Sequence, residues 1–179
     1  LTDAPVGLSS INAARHSTKE QNVRTAVVCY SRHGSTARVA RAVAERLGAE
    51  LRTVESVKQY GFLGMGFRAA FNIRVPLKPM ELDFSGFEWV VLCTPVWVDK
   101  PACPARTFLR EAKLAGRKLA VVLTCGGGGI ERAVRILKQD TAGRNIELML
   151  TERVVTDKAT SAELEEAGRR FAARLNATA

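Results

Sequence analysis

The residues that can do chemistry in this chain fall in three short segments: Ser31-Arg32-His33-Gly34-Ser35-Thr36, Thr94-Pro95-Val96-Trp97 and Thr124-Cys125-Gly126-Gly127-Gly128-Gly129. The first reads as the opening of a helix. A helix start leaves backbone N–H groups without partners and carries the positive end of the helix dipole, so it favours an anion. Ser31, Ser35 and Thr36 add hydroxyl donors, and Gly34 permits a tight turn and a close approach. Arg32 and His33 can add positive charge or point to solvent. No Gly-Lys-Ser/Thr follows and no GxGxxG is present, so this is neither a Walker loop nor a dinucleotide fingerprint. The alternative is an ordinary N-cap, with Ser35 or Thr36 closing the helix start.

The second segment offers a flat aromatic. Pro95 is expected to turn the chain away from the sheet and leave Trp97 near its rim, where it can cover a planar ring or simply pack. The third segment brings bare backbone. Four consecutive glycines cost conformational entropy and pack nothing, so they form either a flexible turn or a place where N–H groups reach a ligand. Anion cradle, aromatic plane and bare backbone together describe a site for a phosphorylated aromatic cofactor, and flavin mononucleotide (FMN) is the best match.

These segments need a frame that gathers them. Each comes at the end of a short apolar run and before a helical period. Thr25 to Tyr30 is nearly continuous in apolar residues, as for a strand buried on both faces. From Ser35 to Leu47, Val39, Val43 and Leu47 share one helix face, and Gly48 is a fitting stop. Glu50 to Val57 reads as a weaker strand near an edge, and Trp89 to Cys93 and Leu119 to Leu123 as buried strands. Ala105, Phe108, Leu109 and Ala112 mark a helix over Pro101 to Ala112; Ile130, Ala133, Val134 and Leu137 mark another. Ile146 to Val155 is the last strand. Thr160 to Glu163 has the form of a capping box before a final helix whose face is Leu164, Ala167, Phe171 and Leu175. Strands alternating with helices predict an α/β fold, a doubly wound five-stranded parallel sheet with right-handed crossovers. All three segments then meet at the carboxyl edge of the sheet, where open α/β sheets bind ligands.

The chain of 179 residues is sized for one domain, expected over residues 24–179, with residues 1–23 as a tail that lacks the apolar stretch of a signal peptide. The stretch from Tyr60 to Asp83 sets glycines among aromatics and reads as a short helix or a flap beside the ligand. No apolar run approaches the ~18 residues of a membrane span. The net charge of +9 comes without a basic block or an aromatic-basic module, so nucleic acid is not the expected partner. A solvated basic surface, or one that attracts anionic substrates or acidic partners, is the reading. Cys29, Cys93, Cys103 and Cys125 show no CxxC or metal-ligand spacing and read as small apolar fillers in a reducing cytoplasm, with a redox role as the alternative.

The pieces Tyr30-Ser31-Arg32-His33-Gly34-Ser35-Thr36, Cys93-Thr94-Pro95-Val96-Trp97 and Pro101 to Leu109 resemble the flavodoxin-like family, and the similarity runs from about Thr25 to Leu137. Phe62 to Phe71 also resembles a glycine-aromatic segment of some small members. The resemblance implies strand order 2-1-3-4-5 and bound FMN. It implies that Ser31, His33, Gly34, Ser35 and Thr36, with Arg32 in the same loop, surround the phosphate. It places Thr94, Pro95, Val96 and Trp97 beside the isoalloxazine ring and Cys125, Gly126, Gly127 and Gly128 at its other edge. No side chain need act as acid or base. The chain departs from the family at Val98-Asp99-Lys100, where relatives often have a glycine, and in its basic charge.

The expected function is an FMN-dependent oxidoreductase. Electrons come from a nicotinamide cofactor, NAD(P)H, or a redox partner protein and pass to a small-molecule acceptor such as a quinone. The alternatives are a flavodoxin-type electron carrier with no substrate of its own and a flavin-free binding module. A homodimer that covers the ring edge is compatible with the sequence, though no strip of residues demands one.

Overall fold

The computed structural model describes residues 24–58, 64 and 74–178. The expected tail over residues 1–23 and, residue 64 aside, the 60–73 part of the glycine-aromatic stretch lie outside them. The elements run β1 (Thr25–Cys29), α1 (Ser35–Leu47), β2 (Glu50–Thr53), β3 (Trp89–Trp97), β4 (Lys100–Pro101), α2 (Cys103–Glu111), β5 (Arg117–Cys125), α3 (Glu131–Thr141), β6 (Ile146–Val155) and α4 (Ser161–Asn176). The five long strands are parallel in the order β2-β1-β3-β5-β6, which is the expected 2-1-3-4-5 order.

The continuous apolar runs form the sheet centre because both faces are covered. Successive side chains alternate across a strand. Val28, Val90, Leu92, Val121 and Leu123 therefore face α2 and α3, where they meet Phe108, Leu109 and Leu137. Val27, Val91, Ala120 and Val122 face α1 and α4 and meet Val39, Val43, Leu164 and Phe171. Cys29 and Cys93 are register partners on β1 and β3 and sit in this second core. Burial pushes the Cys29 thiol up to about 12 and Cys93 well above its ordinary value, so both are held as unreactive thiols. Gly48 closes α1 in the left-handed region at φ 59°, and the Thr160–Glu163 capping box opens α4.

One expectation needs correction. β3 does not end at Cys93, and Pro95 does not turn the chain away. The strand continues to Trp97, because its last residues pair antiparallel with β4 (Val96 with Pro101, Trp97 with Lys100). Pro95 is tolerated there because the pairing with β1 has already ended at Cys93, so no β1 carbonyl is left waiting for its missing N–H, and its own carbonyl accepts the Ala102 N–H at 2.9 Å. Val98 and Asp99 make the two-residue turn at φ 49° and 57°, the backbone of a tight hairpin.

Much of the positive charge is structural. Asp140 on α3 accepts from Arg106 Nε at 2.7 Å and from Arg110 at 3.0 Å, both on α2. Arg144 donates to the carbonyls of Leu109, Arg110 and Ala112, covering the carboxyl end of α2. Burial pushes the Asp140 carboxyl up, but the hydrogen bonds and charges of Arg106 and Arg110 outweigh this and hold it below the ordinary carboxylate value.

Two measurements check this packing. Gly168 of α4 lies against α1, and an added Cβ would stand 2.5 Å from the Val39 carbonyl oxygen and 2.9 Å from Ala42 Cβ. Ala is the better helix former, but backbone cannot yield like a flexible side-chain tip. Gly168→Ala should therefore destabilise by about 1–3 kcal/mol in urea unfolding; a stabilised variant would refute the close approach. Asp140→Asn removes the carboxylate from a buried pair and should cost about 3 kcal/mol at neutral pH. A depressed native value stabilises above the unfolded value of about 4 and loses that stabilisation as pH falls through the native one. The gap between the two proteins should shrink in that acid window.

Candidate cofactor site

The first segment is shaped by its glycine. Gly34 occupies the N-cap of α1 at φ 90°, a backbone that side chains other than hydrogen rarely adopt. Its N–H donates to Ser31 Oγ at 3.1 Å and its carbonyl accepts from Arg38 N–H at 3.0 Å. The alternative, an N-cap role for Ser35 or Thr36, is not observed: α1 has no side-chain cap and no acidic residue in its first turn. Thr36 instead turns inward, buried, and its hydroxyl lies 2.7 Å from that of Thr124. The first turn of α1 keeps its positive end free of any carboxylate of its own.

A cleft of 180 Å³ opens at this edge of the sheet. It is lined by Ser31, Arg32, His33, Ser35 and Thr36 from the first segment, Pro95, Val96 and Trp97 from the end of β3, and Thr124, Cys125 and Gly126 from the end of β5. Thr156, just after β6, completes the wall. The three segments thus converge as their chain positions predict.

Four of the expected residues are not in the lining. Gly34 shapes the loop from behind. Thr94 is fully buried, and its hydroxyl donates to the Pro95 carbonyl at 3.2 Å. Gly127 and Gly128 belong to a turn that folds back: the Gly128 carbonyl accepts from Cys125 Sγ at 3.4 Å and from Arg153 Nη1 at 3.3 Å. Two lining residues, Thr124 of the third segment and Thr156, were not among the expected contacts. Thr124 had a usable signal, since alternation from Ala120 and Val122 puts it on the α1 face of β5. Thr156 had none; its N–H and hydroxyl both donate to the Cys125 carbonyl, a contact that only the folded register creates.

Trp97 is half-buried and braced. Its ring meets Tyr30 edge-to-face, with centroids 5.7 Å apart and planes at 82°. Burial holds the Tyr30 hydroxyl above its ordinary value, against the pull of Arg32. Among the described residues no Asp or Glu lines the cleft, while Arg32 and His33 do. Lys100 is buried and outside the lining, and desolvation, followed by the charges of Arg132 and Arg106, holds its ammonium below the ordinary lysine value. Among the described residues no group of His, Cys, Asp and Glu could hold a metal ion, and no helix is long and apolar enough to cross a membrane.

No protein-family model and no curated protein matches the chain. Solved structures do resemble it. A flavoprotein in complex with FMN from Lactobacillus acidophilus NCFM superposes with a TM-score of 0.63 at 18% identity, over 73% of this chain and 92% of that one. Oxidised flavodoxin 2 from Bacillus cereus gives 0.54 at 19% identity, over 87% of this chain and 99% of that one. A flavodoxin, WrbA-like protein from Agrobacterium tumefaciens gives 0.56 at 16% identity, over 87% and 98%. Strand order, helices on both faces and these superpositions agree: the chain has the flavodoxin-like fold.

Proposed function

We propose that the protein binds FMN in this cleft and works as a redox protein, an oxidoreductase that takes electrons from NAD(P)H or a partner protein and reduces a small acceptor such as a quinone. The observation that carries the reading is the convergence of an uncapped helix start, a braced tryptophan and a glycine segment on one cleft, with no carboxylate among the described residues that line it. Solved structures of like fold, one of them holding FMN, support it.

The residues present fit the cofactor. Gly126, in the lining, lies outside the left-handed region, and a Cβ added there would meet no atom within 4 Å. The chain's own packing therefore does not demand glycine there, whereas a group approaching from outside would. The first turn of α1, with Ser31, Ser35 and Thr36, suits a phosphate. The cleft volume of 180 Å³ is below the ~300 Å³ at the small end of ligand pockets, so it suits the phosphate and its chain, with a ring system left at the mouth beside Val96 and Trp97.

FMN, when bound, would supply the electron transfer itself. The protein's part is to bind and orient. Arg32 and His33 would favour negative charge in the cleft. Trp97, held by Tyr30, would present a fixed apolar plane. A ring open at the mouth suits a small acceptor.

Titration of FMN into the purified protein tests the reading. Quenched flavin fluorescence and shifted visible bands are expected; a free-flavin spectrum in excess protein would refute it. The loaded protein should then oxidise NADH or NADPH with a quinone present. Activity only after a separate reductase is added would make it an electron carrier instead.

A further inference from the structure

The two threonines that meet across the cleft invite a hydrogen count. Thr36 is the second residue of α1 and Thr124 the last but one of β5. They are 3% and 2% exposed, and both line the cleft. Their hydroxyl oxygens are 2.7 Å apart, and either can donate to the other. Each hydroxyl has one proton and two lone pairs. The bond between them uses one proton. Among the described residues neither hydroxyl has a second partner, so one proton is left over. A buried donor without an acceptor is costly. Valine on β5 beside Val122 would fill the same space but would leave the Thr36 hydroxyl with neither bond, so with or without Thr124 one proton at the cleft wall still lacks an acceptor.

The geometry points to a ligand as the missing acceptor, and we infer that the Thr36–Thr124 pair is a two-residue phosphate relay. With an anion at the start of α1, Thr36 donates its proton to a phosphate oxygen and accepts the proton of Thr124. Aligned hydroxyls polarise one another, so the second strengthens the first. Thr124 is thus a positioning residue: it acts on the phosphate through Thr36. The pair also joins two chain segments, since Thr124 precedes Cys125, which holds the glycine turn through Gly128. This inference rests on the FMN reading of the cleft and names how that site recognises the phosphate.

The test compares the unaltered protein, Thr124→Val and Thr124→Ser in binding FMN and riboflavin, which differ by the phosphate. Fluorescence titration should show FMN binding weakened about fivefold in Thr124→Val, the size of one net hydrogen bond. Riboflavin binding should be unchanged, and Thr124→Ser should restore FMN binding. Equal weakening of both flavins, or no change in either, overturns the relay. Thermal melts with and without excess inorganic phosphate supply a second readout. If the unaltered protein binds neither flavin, the cofactor reading falls and the melts decide the relay alone. A phosphate-induced rise in Tm that Thr124→Val loses upholds it; the same response in both proteins overturns it.

Discussion

A parallel sheet covered by helices on both faces can place polar groups only at its ends. That constraint organises this molecule. The centres of β1, β3 and β5 are fully buried and apolar, so hydroxyls, arginine, histidine and glycine collect where these strands stop. Because these strands run parallel, each passes from its carboxyl end toward the next helix at the same edge of the sheet. The positive start of α1, the braced Trp97 and the glycine segment thereby share one cleft. The Thr36–Thr124 bond ties two of these segments together at the cleft wall.

The sequence carried the frame because the frame rests on short-range periodicity. Val39, Val43 and Leu47 mark α1 by spacing alone, and the capping box at Thr160 and Glu163 fixes the start of α4. β6 begins and ends where its apolar pattern does. Features that depend on register across the sheet were not legible. Nothing local shows that Pro95 stays in a strand, since β4 must first fold back onto Val96 and Trp97. Thr94 and Thr124 look alike in sequence. Yet Thr94 is locked against the Pro95 carbonyl while Thr124 faces α1 and the cleft. The residue beside each strand decides, and that residue is distant in the chain.

The basic charge looked like a surface property and is partly an internal one. Arg106 and Arg110 hold Asp140 between α2 and α3, and Arg144 covers the end of α2. Arg117 donates to the carbonyls of Ser85 and Phe87, and Arg52 lies over the Phe84 ring at 4.7 Å. Arginine suits these places because its planar fork meets several acceptors at once and its face stacks on rings. What remains for the cleft is local: Arg32 and His33, with no opposing carboxylate among the described residues of the lining.

Phosphorus NMR of FMN mixed with the protein tests most directly whether the start of α1 holds a phosphate. A free phosphate monoester titrates with a pKa near ~6, and its signal moves with pH. Held by unpaired N–H groups and hydroxyls, which favour its dianion, the phosphate should give a shifted signal that stays fixed through that range. A signal that titrates like free FMN, with the flavin bound, would place the phosphate in solvent and contradict the account.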